Sequence, residues 1–444
     1  MALDPPKYLP EDILRPIFSK LPVKSLNRCR CVCKTWYRII GLPNNILINI
    51  LRRLPLQYAV RCRCVCKTWY HIIGTTSFAK THLSYQKTAA TSNKFMLYEQ
   101  GNLCTLLAHS HSIYDGSLKH SKLMHLKQVH VKDIVRRCTG DVYMSFRRPK
   151  IRGICNGLLC LSDSDYDIGD TIYLWNPTCR KIKKLPRPDN NSIIKDALRY
   201  SRTTSLSFGY YDDDFKVIAI AIRAHAYFVL VYSLNTNSWN TIPHKFYDDV
   251  YFEGRFYRYT RVNDTKFVDD TVYIIESDQV RCFDLSNETI CTIIPFPKEL
   301  GPCVHDKYTT DFTTEIYGDS IAIFIFELQS RSLTMWILKD KSSFVRAWEK
   351  RLDNIKNSSY SLVGLLNNGK YLVNWEKEGP KKCYLCDIDS PRVREVTFMR
   401  GSPYIYDSHI HPNYVESLFL LNEDHLDPVI LYDINGNSLP ESAV

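Results

Sequence analysis

The sequence predicts an α+β multidomain protein, in which a small all-helical N-terminal part precedes a large all-β body of divergent kelch-like β-propeller type. Three observations carry this. Leu9 to Gly41 align with Leu42 to Gly74 at an offset of 33 residues, and more than half of the aligned positions are identical. In both copies apolar residues recur three and four apart, the spacing of one helix face. From about residue 95 the pattern changes to short apolar runs broken by polar turns, and one strand–turn–strand unit returns every 46 to 58 residues.

A chain of 444 residues exceeds one ordinary core, so two or more domains are expected. With 45% hydrophobic and 24% charged residues it has the composition of a globular protein. Met1 to Pro6 hold no basic patch leading into an apolar run, and the strongly apolar stretch Ile321 to Phe326 is far too short to span a bilayer. The expectation is a soluble protein of the cytoplasm or nucleus with no membrane partner. Its 16 cysteines would then stay as reduced, packed thiols, and Asn263 and Asn287 would stay unglycosylated. Lysine and arginine occur along the whole length, so the net charge of +11 reads as a solvated basic surface, and nucleic acid is disfavoured as a partner.

In the first copy Pro10 suits a first helical position, Glu11 and Asp12 complement the positive end of the dipole, and Ile13, Leu14, Ile17, Phe18 and Leu21 share a face. Pro22 ends that helix. Leu26, Cys29, Cys33, Trp36 and Ile40 then form a second apolar stripe. The duplicated core is Arg28-Cys29-Arg30-Cys31-Val32-Cys33-Lys34-Thr35-Trp36-Tyr37, repeated from Arg61 to Tyr70. Cysteines two apart on a helix point to different faces, so these triplets are not read as a metal site.

In the β part the recurring unit is an apolar strand with an aromatic residue, a polar turn and a second strand. It begins at Ile172, Leu230, Val280, Leu333, Cys383 and Val429. Such units bury their faces against one another in a ring. The diglycine of true kelch repeats is absent from the sequence, so the blades would be divergent, and a β-sandwich-like arrangement is the alternative. Gly153 and Gly157 are expected in tight turns, and Trp175 and Trp239 between blades.

The series Leu9-Pro10-Glu11-Asp12-Ile13-Leu14, Leu21-Pro22-Val23-Lys24-Ser25-Leu26 and Arg30-Cys31-Val32-Cys33-Lys34-Thr35-Trp36 closely resembles the F-box of plant F-box proteins. Gly153-Ile154-Cys155-Asn156-Gly157-Leu158-Leu159, Trp175-Asn176-Pro177-Thr178, Phe208-Gly209-Tyr210 and Tyr414-Val415-Glu416-Ser417-Leu418 resemble the F-box-associated domain of the same family. The resemblance implies F-box copies over 1–41 and, with a linker, 42–90, and a substrate-recognition domain over 91–444. It also implies a Skp-type adaptor as partner, a cullin-RING scaffold reached through it, and a protein substrate. The implied adaptor contacts are Leu9, Pro10, Ile13, Leu14, Leu21, Pro22, Val23 and Leu26 in copy one, and Leu42, Pro43, Ile46, Leu47, Leu54, Pro55 and Leu56 in copy two. Copy two is expected to make the productive contact, because Pro16 removes a backbone donor inside the first helix of copy one.

Neither a G-x-S-x-G elbow, an H-E-x-x-H pair nor a P-loop occurs in the sequence, so a non-catalytic adaptor subunit without cofactor or metal is expected. The aromatic and arginine-rich stretch 246–259 and the triplet Asp212-Asp213-Asp214 are candidate contact loops, with a tyrosine-rich strand pair and an acidic hairpin turn as the plainer readings. His409 and His411 read as strand or loop histidines rather than metal ligands.

Overall fold

The computed structural model describes residues 20–22, 25, 44–88, 95–100, 103–108, 124–130, 150–162, 172–179, 181–186, 202–223, 226–244, 264–276, 279–297, 299, 310–327, 332–351, 360–365, 370–375, 382–387, 393–396 and 408–421. The chain divides into two compact units. The first contains residues up to 92 together with the late segment 416–422, and the second contains 93–415.

In the first unit the described helices are α1 (Asn44–Leu51), α2 (Leu56–Cys62), α3 (Lys67–Ile73) and α4 (Thr76–Thr88). Leu47 and Leu51 bury the inner face of α1, Leu56, Ala59 and Cys62 that of α2, and Trp69 and Ile73 that of α3. These spacings of three and four are the ones the sequence shows. The single stripe expected across Ala59, Cys62, Cys66 and Trp69 is, however, broken into two helices. Cys64 and Val65 amides turn back onto the carbonyls of Arg61 and Cys62, and Cys66 is fully extended at φ −164° before α3 begins. Ala59, Cys62 and Trp69 are buried on either side of the break, so the apolar spacing reads through it. Copy one lies outside the described residues apart from 20–22 and 25, so its helices and Pro16 do too.

The second unit is built of six four-stranded antiparallel sheets among the described residues. Five use consecutive strands: β4 (Lys150–Cys155), β5 (Leu158–Ser162), β6 (Ile172–Asn176) and β7 (Lys181–Lys184); β8 (Arg202–Tyr211), β9 (Asp214–Arg223), β10 (Ala226–Ser233) and β11 (Ser238–His244); β12 (Asp264–Val268), β13 (Thr271–Ile275), β14 (Gln279–Asp284) and β15 (Thr289–Pro295); β16 (Thr310–Tyr317), β17 (Ser320–Glu327), β18 (Ser332–Lys339) and β19 (Ser343–Arg351); β20 (Tyr360–Leu365), β21 (Lys370–Trp375), β22 (Lys382–Asp387) and β23 (Val393–Val396). The sixth joins β1 (Phe95–Gln100), β2 (Leu103–Ala108) and β3 (Met124–His130) to the last strand, β24 (Ser408–Tyr414). The first strands β4, β8, β12, β16 and β20 lie side by side in that order, and β24 closes the circle between β20 and β4. This is a β-propeller whose ring is completed by pairing the two ends of its chain, β1 with β24.

Middle strands of the blades are sandwiched between two neighbours, which is why they read as unbroken apolar runs. Along β13, Val272 and Ile274 pack against Ile218, Ile220, Val229 and Val231 of the preceding blade, while Tyr273 and Ile275 pack against Ile321, Ile323 and Ile325 of the following one. Outer strand β15 instead alternates exposed and half-buried residues over most of its length.

Glycines on the first strands set how closely blades approach. Gly157 fits its expected turn at φ 80°. Gly153 does not: it lies within β4, where a Cβ would stand 2.9 Å from Cβ of Phe208 on β8. Gly209 of β8 repeats this one blade on, since a Cβ there would fall 2.0 Å from the Phe267 ring on β12. Both therefore make room for a phenylalanine of the next blade. Gly209→Ala is expected to destabilise the propeller by about 1–3 kcal/mol through overpacking, and Phe267→Leu in the same chain should recover part of the loss. Chemical denaturation of the two single variants and the double variant checks this; additive losses would contradict it.

Candidate functional site

The helical unit is pinned at the turn between α1 and α2. The Leu54 carbonyl there accepts hydrogen bonds from His82 Nε2 at 3.0 Å and from Gln86 Nε2 at 3.1 Å, both on α4. Helix α4 starts with its Phe78 amide bonded to Thr75 Oγ1 at 3.1 Å, a side-chain cap, and buries Phe78, Ala79, His82 and Leu83. His82 is fully buried, its Nδ1 has no hydrogen-bond partner, and burial pushes its pKa below the ordinary histidine value against the weaker opposing effect of the Leu54 bond. A neutral ring protonated on Nε2 is what this geometry needs.

Residues expected at an adaptor contact fall into different environments. Leu47 and Leu56 are 3% and 5% exposed and belong to the core of the helical unit. Leu54 is half-buried and Pro55 exposed, as Leu21 and Pro22 are in copy one. Ile46 lies within α1, and the structure does not describe its side chain. Leu9, Pro10, Ile13, Leu14, Val23, Leu26, Leu42 and Pro43 lie outside the described residues.

Two tyrosines that sequence reasoning passed over, Tyr58 at 46% and Tyr70 at 45% exposure, present large rings on the surface of this unit. The Arg61 guanidinium lies 6.0 Å from the Tyr58 ring and that of Arg63 lies 4.2 Å from the Tyr70 ring. Exposed aromatics beside arginines have the composition of interface anchors. The signal was available, because Tyr58 replaces Ser25 of copy one at an otherwise aligned position. Arg63 also donates from Nη1 to the Leu421 carbonyl at 3.3 Å, within the same unit.

In the propeller the two ends of the ring differ. Connections from first to second strands and from third to fourth strands leave from one end, and the described ones are tight turns with residues at positive φ: Asn156-Gly157, Asp212-Asp213, Asn237, Asp269, Glu288, Gly318 and Asp340-Lys341. Asp, Asn and Gly are the residues that adopt this conformation cheaply. The aspartate triplet is one of these turns. Asp214 is buried and accepts bonds from Ser233 Oγ at 2.5 Å and the Asn235 amide at 2.9 Å, while Asp213 accepts from Tyr210 OH at 3.0 Å. The triplet thus forms the acidic hairpin turn of the plainer reading, with Asp212 and Asp213 exposed and Asp214 buried. Connections between successive blades leave from the opposite end, and the stretch 246–259 belongs to one of them, between β11 and β12, outside the described residues. His409 and His411 sit on β24 opposite Glu99 and Leu97 of β1.

Compared with known families, residues 106–421 match the F-box associated beta propeller domain, and residues 8–41 and 39–81 each match the F-box domain. An F-box/kelch-repeat protein of Arabidopsis thaliana is 29% identical over 241 residues, 53% of this chain and 52% of the relative. Two putative F-box proteins of the same plant are each 22% identical. One match spans 302 residues, 65% of this chain and 62% of the relative; the other spans 360 residues, 78% of this chain and 79% of the relative. The chain thus spans about half the length of the first of these relatives and more of the others.

The buried His82 makes the helical unit sensitive to acid. Its pKa is lower in the folded than in the unfolded chain, so its contribution to stability is complete above the unfolded value and is lost as pH falls toward the folded one. Hydrogen-exchange protection in α4, taken relative to the intrinsic rate at each pH, is expected to fall between about pH 7 and about pH 5, and His82→Gln, which keeps a donor for Leu54 but cannot titrate, should flatten that dependence. An equally steep profile in the variant would assign the effect to other groups.

Proposed function

The chain belongs to the F-box proteins that carry an F-box associated β-propeller domain, and from this we propose that it is the substrate-recognition subunit of a cullin-RING ubiquitin ligase. The observation that carries the reading is the joining, in one chain, of an F-box helical unit to a closed ring of six sheets. The helical unit docks on a Skp-type adaptor, which links it to the cullin scaffold and its RING subunit. In copy two the contact is made by Leu42, Pro43, Ile46, Leu54 and Pro55, of which Leu54 is half-buried and Pro55 exposed, and it is extended by the exposed Tyr58, while Leu47 and Leu56 hold the helices that present it.

The propeller holds a target protein. Contact belongs to the end where successive blades are joined, since the connections between blades are longer than the described tight turns at the other end, whose residues are committed to folding. The chain contributes binding and no chemistry of its own. Ubiquitin transfer occurs on its partners, driven by the raised effective concentration of target lysines near the charged conjugating enzyme. This work is done in the cytoplasm or nucleus.

Binding of the purified chain to a Skp-type adaptor tests the reading. Leu54→Ala with Tyr58→Ala in copy two is expected to weaken the complex at least about tenfold, about 1.4 kcal/mol, with the helical circular dichroism retained. Leu21→Ala with Pro22→Ala in copy one should cost less. A larger loss from the copy-one pair would move the docking site there, and undiminished binding by a chain lacking residues 1–92 would end the reading.

A further inference from the structure

Residues 13–98 contain 15 lysines and arginines and not one aspartate or glutamate. The rest of the chain then holds 43 basic residues against all 47 acidic ones, so the whole positive excess of the protein resides in this stretch. Cations do occur along the whole chain, as the sequence reading has it, but their neutralising acids are missing from one contiguous segment.

The structure places a good part of that charge on the surface of the helical unit. Arg53, Arg61, Lys67 and Lys87 are exposed on or beside the four helices. Arg52 and Lys80 line a cleft of about 540 Å³ with Thr81, Ser84, Tyr85 and Thr88. The Arg52 guanidinium stands 5.7 Å from the Tyr85 ring, and its Nε is buried without a hydrogen-bond partner. Tyr58 and Tyr70 add exposed apolar area on the same unit. A partner for such a surface must supply carboxylates to the cations and an apolar patch to the rings.

We infer that the surface receiving the helical unit is an acidic protein surface, with carboxylates opposite Arg53, Arg61, Lys67 and the Arg52–Lys80 cleft, and that this charge pairing governs how fast the two associate. The inference rests on the adaptor-docking reading and adds the chemistry of the adaptor's face. Exposed cations of one sign raise the rate of encounter with an oppositely charged surface, and salt removes the advantage because the screening length falls below about 10 Å above 0.1 M.

The test is the association rate of the full chain with a purified Skp-type adaptor at several salt concentrations. The rate is expected to fall at least about tenfold between about 50 mM and about 500 mM salt, with dissociation little changed. The triple variant Arg53→Gln, Arg61→Gln, Lys67→Gln should associate about tenfold more slowly at low salt and lose most of the salt dependence. An association rate indifferent to salt, or a triple variant as fast as the parent, overturns the inference and leaves the ligase reading standing. No adaptor binding at any salt overturns that reading and the inference with it. A double-stranded DNA oligonucleotide that displaces the adaptor at equal concentration assigns the cationic surface to nucleic acid and also overturns the inference.

Discussion

The propeller depends on one seam. Its last strand, β24, is the innermost member of the first blade, so the ring of six sheets is closed only where the two ends of the β body meet. At that seam Tyr414 is 1% exposed, and its hydroxyl lies 3.1 Å from Thr178 Oγ1 and 3.4 Å from the Gly157 carbonyl, which accepts its proton. Thr178 is held in turn, because the buried Asn176 accepts its amide at 3.0 Å and that of Cys179 at 3.1 Å. Gly157, Asn176, Thr178 and Tyr414 come from three separate motifs of the sequence, and the fold brings them to one point. A net hydrogen bond is worth only about 1 kcal/mol, but an unmade one in a buried seam costs more. Loss of the seam would also expose the edge of every blade it holds in register.

With the ring closed, each blade's apolar content is explained by its neighbours. The run Thr271 to Ile275 is buried throughout because one set of alternate residues faces the preceding blade and the other set faces the following one. Links at the rim reinforce this packing: Trp239 donates from Nε1 to the Pro186 carbonyl of the blade before it at 2.7 Å, and Lys341 reaches Asp270 at 3.2 Å and Thr271 at 2.8 Å. Where a connection is buried, charge is paired as well. Glu276, 1% exposed, meets Arg281 at 2.8 Å and Gln279 at 2.6 Å, so neither charge is left alone in the interior.

These arrangements mark where sequence reasoning succeeds and fails. Period and repeat were legible, since a helix face and a two-sided strand each impose their own spacing on apolar residues. Trp239 between blades and the aspartate turn were legible for the same kind of reason, as a residue type suited to one environment. Gly153 was misread because a glycine that admits a neighbour's phenylalanine has the same letter as one that turns the chain, and only the position of Phe208 separates them. The break between α2 and α3 was hidden because Trp69 is buried after it, as an unbroken apolar stripe would also require. Within the expected docking set, sequence could not separate Leu47 and Leu56, which fill the module's own core, from Leu54 and Pro55, which reach its surface. That distinction depends on which side of a short helix the rest of the unit covers.

Charge separates folding from function more sharply than any motif. The acids at the tight-turn end of the propeller, among them Asp212, Asp213, Asp269 and Asp340, stand at positive φ, where aspartate is one of few residues tolerated. Their presence follows from the turns and calls for no ligand. Nothing comparable explains the missing acids of residues 13–98. Glutamate is among the better helix formers, and acids near a helix N-terminus are stabilising, so helices α1 to α4 would gain from carboxylates they do not have. A cluster of like charge also opposes compactness. The proposed acidic partner surface accounts for a composition that local structure disfavours over 86 consecutive residues, because it supplies the carboxylates that this segment lacks.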